Sequence, residues 1–174
     1  IHQMTPLAAG YMTAMMAGGW TLASLYSAGR GERHTAYCLI RLGPPIVLVA
    51  LLSLAFMLPS VTWGSTLAGK VTYGVALAAV GFGIGLSWPH LLTRVFSVAA
   101  PGEETLASSS ITTVQLYATA LAAAIAGVVA NLAGLTEPGG VDGARSAALA
   151  LFASFAVAPA LAVALSGRME RGPE

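Results

Sequence analysis

Eight basic and seven acidic residues divide this chain of 174 into five long charge-free stretches: Ile1–Gly29, Leu42–Gly69, Val71–Thr93, Thr105–Thr136 and Ser146–Gly167. The shortest holds 22 residues. A membrane helix needs roughly 20 apolar residues to cross about 30 Å of hydrocarbon. A helix on the surface of a soluble core keeps a charged or polar face, and these stretches mostly lack one. The sequence therefore predicts an all-α fold, a polytopic transmembrane helix bundle with five spans.

Composition supports that frame. Charged residues make up 9% of the chain, against about 25% in ordinary globular domains, so a normal solvated surface is excluded. A net charge of +1 gives no reason to expect a nucleic-acid partner. Cys38 is the single cysteine, which rules out an internal disulfide and a cysteine-based metal cluster. Nothing in the residue pattern calls for a cofactor or a metal. The first stretch lacks the basic segment and cleavage site of a signal peptide. It also begins without Met and close to a span, so a piece of a longer protein is expected.

The charges predict an orientation. Arg30, Arg33 and Arg41 follow the first span, Arg94 the third, and Arg168 and Arg171 the fifth, whereas Lys70 and Arg145 lie in the other gaps. Positive charge collects on the cytoplasmic side. The segment's N-terminus should then be outside, and its C-terminus in the cytoplasm.

The five spans are placed at about residues 6–28, 38–58, 71–96, 103–134 and 147–166, in one transmembrane domain with a short cytoplasmic tail, 167–174. Thr5-Pro6 reads as an N-cap followed by proline at the first helical position. Ala14 and Gly18 form a small-xxx-small pair, which lets two backbones approach closely in lipid. Pro44-Pro45 is expected to begin or kink the second span, which is otherwise aliphatic and suits a lipid-facing position. In the third span Gly74, Ala78, Gly81 and Gly85 share one helical face, continued by Trp88, and Pro89 should kink its cytoplasmic end. The run Gly81-Phe82-Gly83-Ile84-Gly85 has no preceding strand, so it is read as a packing or gating feature rather than a nucleotide loop. Glu103 and Glu104 open the fourth span, where the helix dipole favours them. Ser108, Thr112, Gln115 and Thr119 then form a narrow polar stripe, extended by Ala122 and Ala126. Such a stripe needs partners that lipid cannot provide, so it should face another helix or a wet cavity. The fifth span is uniformly apolar around Pro159 and looks peripheral. Leu135–Arg145 reads as a Gly/Pro loop, and Trp63 with Tyr73 as an interfacial aromatic belt.

These features in order resemble the C-terminal half of a major facilitator superfamily transporter, helices eight to twelve, of the bacterial multidrug-efflux type. The resemblance is carried by Thr5-Pro6-Leu7-Ala8-Ala9-Gly10-Tyr11, by Gly29-Arg30-Gly31-Glu32-Arg33, by Gly81 through Pro89, and by Pro101-Gly102-Glu103-Glu104 leading into Ala107-Ser108-Ser109-Ser110. It implies that the second and fifth spans face lipid and that the first, third and fourth border a central cavity or its gates. It further implies a bacterial plasma (inner) membrane location, an N-terminal half as partner beside the lipid bilayer, and a small-molecule substrate. The gating motif that the family often carries after helix eight is compressed here to Gly29, Arg30, Glu32 and Arg33. Arg30 or Arg33 could still pair with an acidic residue of a neighbouring loop, and both also serve as ordinary topology determinants.

Each candidate residue has a functional and a structural reading. Gln115, with donor and acceptor groups in the stripe, suits a substrate contact or a helix–helix hydrogen bond. Thr112, Thr119 and Ser108 line the same stripe, although a Thr hydroxyl can simply bond its own helix. Tyr11, Met15 and Trp20 suit a soft pocket wall or packing. Trp88 suits a stacking contact or an interfacial anchor. The glycine face and Pro89 suit packing or a gate. His90 is a possible proton site, or a histidine solvated near the cytoplasmic interface. The chain is read as part of a secondary active transporter that moves small organic molecules by alternating access, an efflux antiporter coupled to protons, and not as an enzyme. The alternative is a polytopic membrane scaffold or subunit without carrier activity.

Overall fold

A computed structural model of the chain describes residues 5–60, 66–100 and 102–166. Five helices account for almost all of them: α1 (Pro6–Ala28), α2 (Arg33–Met57), α3 (Leu67–Val98), α4 (Glu104–Leu132) and α5 (Gly140–Ser166). The described residues contain no strand. The protein is an all-α, multi-pass membrane helix bundle.

Four of the helices, α2 to α5, are both long and apolar enough to cross a membrane. The exception, α1, mixes Gly, Ser, Thr, Tyr and Trp among its aliphatic residues, which lowers its mean hydropathy. Its 23 residues still span roughly 35 Å at about 1.5 Å per residue. It carries no charge and lies along α3.

The helix starts follow from local chemistry. Thr5 Oγ1 accepts from Ala8 N at 3.3 Å, with Pro6 at the first helical position. Thr66 Oγ1 does the same for Gly69 N at 3.0 Å. Each hydroxyl satisfies an amide that has no partner within its helix. The α4 terminus is a Schellman turn. Leu135 N donates to Ala130 O and Gly134 N to Asn131 O, both at 3.0 Å. Gly134 there has φ +99°, a conformation that glycine adopts without a Cβ penalty.

Three expectations need correction. Pro44 and Pro45 do not begin a helix, because α2 starts at Arg33 and runs through both. The stretch from Gly140 to Arg145 is not loop but the first turns of α5. There Gly143 packs on the carbonyl of Gly134, and Arg145 pairs with Asp142 at 3.1 Å. Finally, α2 is less bland than its aliphatic sequence suggests, since it packs on both α3 and α5, while Leu42, Val49, Leu52 and Phe56 stay exposed on its remaining face. Its buried Ala50 and Leu54 meet Ala76 and Val80 of α3, with Phe152 of α5 against the same cluster. Trp63, the tail 167–174, His2 and Pro101 lie outside the described residues.

The spatial order is α1, α3, α2, α5, α4, with only a slight contact between α3 and α4. In consequence α3 is the most covered helix and α4 the least. This arrangement determines which candidate residues meet.

Candidate functional site

The centre of the fold is a seam of backbone contacts around α3. A methyl added at Gly81 would overlap Met16 O and Trp20 N, and one at Gly85 would overlap Trp20 O and Ala23 Cβ. One at Gly74 would strike the Met15 thioether. The predicted glycine face therefore packs on α1. Residues two apart on a helix point in nearly opposite directions, so Gly83 faces the other way. There it lies against Gly43 O and Val47 of α2. The alternating Gly81-Phe82-Gly83-Ile84-Gly85 run thus serves two neighbours at once. On α1 the small-residue pair is not Ala14 and Gly18, since Gly18 borders open space. The buried set is Gly19, Ala23 and Ser27, also spaced by four.

Within this seam, proline creates polar gaps that serines fill. Pro89 has no N–H, so the carbonyl four residues earlier, Gly85 O, loses its helical donor. Ser24 Oγ of α1 donates to that carbonyl at 3.4 Å. Pro44 likewise frees Ile40 O, and Ser87 Oγ of α3 donates to it at 3.4 Å. In lipid an unfilled carbonyl is costly, which accounts for the hydroxyls that Ser24 and Ser87 place on these two carbonyls. The individual serines escape sequence reading. The spacing between each proline and its freed carbonyl does not, and it could have prompted the search for them.

His90 is not solvated as one reading of the sequence had it. It is 7% exposed, and Ser27 beside it is 0% exposed. Ser27 Oγ lies 2.6 Å from Leu86 O and 2.8 Å from His90 Nε2. His90 also borders a cavity of about 370 Å³ between the end of α1, the start of α2 and the last turns of α3, together with Ala28, Gly31, Thr93 and Arg94. The gaps after α1 and α3 therefore meet at one end of the bundle. Within that end Arg30 reaches no acidic residue among the described residues. Its guanidinium donates to Tyr26 O at 2.6 Å and stacks over the Tyr26 ring. Glu32 is the N-cap of α2 but makes no side-chain capping bond. The side chain of Arg33 lies outside the described residues.

The polar stripe is on the opposite flank of the fold. Ser108, Thr112, Gln115 and Thr119 are all exposed on α4. Thr112 Oγ1 donates to Ser108 O at 3.2 Å, and Thr119 Oγ1 to Gln115 O at 2.8 Å. Those hydroxyls are therefore satisfied within their own helix. The Gln115 amide makes no hydrogen bond to the described residues. The α4 residues that border α5 (Ala118, Leu121, Ala122 and Ile125) lie about a quarter-turn from the stripe at about 100° per residue. The stripe thus lies to one side of the α5 contact, which its extension Ala122 borders. Tyr11, Met15 and Trp20 are likewise exposed on α1, and Trp88 is half-buried on α3. Contact between α1 and α4 is slight at most, so the α1 group and the stripe form two open walls rather than one closed pocket.

The remaining grooves are apolar. One, of about 520 Å³, lies between α2 and α3; a second, of about 480 Å³, lies between α1 and α3 and reaches α2 at Ile46; the two share Ile46, Val75 and Ala79.

Comparison with known proteins fits this geometry. The chain is 34% identical over 167 residues to proteins of Mycobacterium tuberculosis strains H37Rv and CDC 1551, each named "probable multidrug-efflux transporter". The match covers 95% of this chain but 33% of each relative, so the chain spans about one third of the length of the curated relatives it matches. No family model and no solved structure matches. Over nearly its whole length this multi-pass membrane chain is thus similar to proteins named for multidrug efflux, in keeping with the resemblance of its motifs to major facilitator transporters.

Proposed function

We propose that this chain is part of a secondary active transporter that exports small organic molecules by alternating access, with protons as the coupling ion. The observation that carries the reading is the polar stripe of α4, left open in a chain whose relatives are named for multidrug efflux. An unpaired amide such as Gln115 is unfavourable against lipid. A wet cavity completed by the rest of a longer protein gives it partners. In this reading Gln115, with Ser108, Thr112 and Thr119, lines that cavity, while Tyr11, Met15, Trp20 and Trp88 contribute soft and aromatic wall. Transporters of this kind rock one helical half against the other around a midplane site. The backbone seam between α1 and α3 at Gly74, Gly81 and Gly85 suits such motion because it holds the two helices as one rigid element, and Pro89 marks the point beyond it where α3 can bend. The end bearing Arg30, Glu32 and Arg33 faces the cytoplasm of a bacterial cell, as the charge bias requires.

The test uses the full-length transporter in proteoliposomes with ethidium as probe. An imposed pH gradient should drive ethidium across the membrane, and Gln115→Leu should lower the rate or change the preference among organic cations at unchanged expression. Absence of gradient-driven movement by the wild-type protein would overturn the proton-coupled reading. Wild-type transport by Gln115→Leu would remove the stripe from the cavity.

A further inference from the structure

The polar groups where α1 meets the charged end of α3 have the arrangement of a proton-binding site. Leu86 O can only accept, so the short contact at 2.6 Å commits the Ser27 hydroxyl hydrogen to it. The 2.8 Å contact with His90 then requires Nε2 to carry the hydrogen that Ser27 accepts. This assignment comes from the hydrogen-bond network. It leaves Nδ1 as the ring nitrogen with a free lone pair. The ring is buried between two helices yet borders the cavity of about 370 Å³ that Arg94 and Thr93 also line, so a proton has an entry route.

The acidic residues of the described helices lie in first turns, Glu104 on α4 and Asp142 on α5. Among the described residues His90 is the buried histidine of the seam. The charged groups around it are few. Arg94 of α3 borders the same cavity. From α1 the nearest cation is Arg30, folded back on Tyr26. From the start of α2 come Glu32 and His34, both exposed.

We propose that His90 Nδ1 binds the proton that couples this transporter's cycle, with Ser27 as its positioning residue. The proposal rests on the proton-coupled reading above. Proton uptake forms one N–H bond at Nδ1 and leaves the Nε2–H to Ser27 intact. It places a second positive charge beside Arg94, four residues along the same helix, where like charges repel. A charged ring is also costly to keep buried against Ser27 of α1, so the charged end of the α1–α3 contact is weakened while the glycine contacts at Gly81 and Gly85 hold. The two protonation states therefore favour different openings of one cavity.

Two measurements on the full-length protein test this. First, nitrogen signals of labelled His90 should report a protonated Nε2 and an unprotonated Nδ1 at rest and a proton gained at Nδ1 when an acid gradient is imposed, and Ser27→Ala should loosen the choice of tautomer. A ring whose Nδ1 gains no proton under that gradient overturns the site whatever the transport data show. Second, His90→Gln, which can still donate to Ser27 but takes up no proton, should reduce gradient-driven ethidium accumulation on the order of tenfold and flatten its pH profile, as expected for an ionisable group buried in a membrane. Wild-type accumulation with a wild-type pH profile in His90→Gln would overturn the proposal. If the wild-type protein titrates at His90 but shows no gradient-driven transport, the coupling role falls together with the proton-coupled reading.

Discussion

Ser87 Oγ on α3 donates to Ile40 O on α2 at 3.4 Å, and that carbonyl is the one Pro44 deprives of its helical partner. The same relationship recurs between Ser24 of α1 and Gly85 O of α3, where Pro89 is the cause. Two prolines inside spanning helices are thus compensated from neighbouring helices, and α3 takes part in both pairs. Helix α3 is thus the element that couples α1 to α2.

A double-mutant cycle tests that relationship. Ser87→Ala alone should cost about 0.6 kcal/mol and at most about 1.7, the range of interhelical hydrogen bonds in membranes. In a Pro44→Ala background the same change should cost close to nothing, because residue 44 then supplies its own N–H to Ile40 O. The coupling is read from unfolding in bilayer or detergent. Equal costs in both backgrounds would contradict the pairing.

Two glycines should respond in opposite senses to an added methyl. Gly81→Ala forces Cβ into the backbone of Met16 and Trp20 and should cost about 1–3 kcal/mol, as overpacking does. Gly18→Ala meets open space and should be neutral or gain up to about 1 kcal/mol from helix propensity. Thermal unfolding of the purified full-length protein separates the two.

The end of α4 gives a third case. Gly134 has φ +99° and closes the Schellman turn, so Gly134→Ala should destabilise by about 1 kcal/mol, the penalty of a left-handed conformation for a residue with Cβ. Gly134→Asn should restore part of the loss, since Asn tolerates that region. A lower Tm for Ala than for Asn is the expected order.

Much of the fold is legible in the residues. The Thr5-Pro6 start, the apolar helix lengths and the glycine face of α3 follow from capping, bilayer thickness and helical periodicity. Pro44 does not begin α2, because the carbonyl it frees, Ile40 O, takes a hydrogen from Ser87 on another helix, a partner that the order of residues along the chain does not reveal. Ala14 and Gly18 satisfy the small-xxx-small spacing, but spacing alone gives several equivalent faces, and the fit of Gly19 against Ala78 selects another one. His90 was read beside Arg94 along the chain, whereas its decisive neighbour, Ser27, comes from α1. Of the candidate site, the stripe on α4 was legible as a periodic pattern. Its second wall was not, since the α1 residues and the stripe stay apart in this chain.

The most direct test of the central claim, that the α4 stripe lines a wet substrate cavity, is cysteine accessibility in the full-length transporter. In a Cys38→Ser background, single cysteines at Thr112, Gln115 and Thr119 should react with a water-soluble maleimide, and ethidium should slow that reaction. Cysteines at Tyr117 and Val128, on the opposite face at about 100° per residue, should remain unlabelled. Equal labelling around the helix, or an unreactive stripe with no protection by ethidium, would contradict the account.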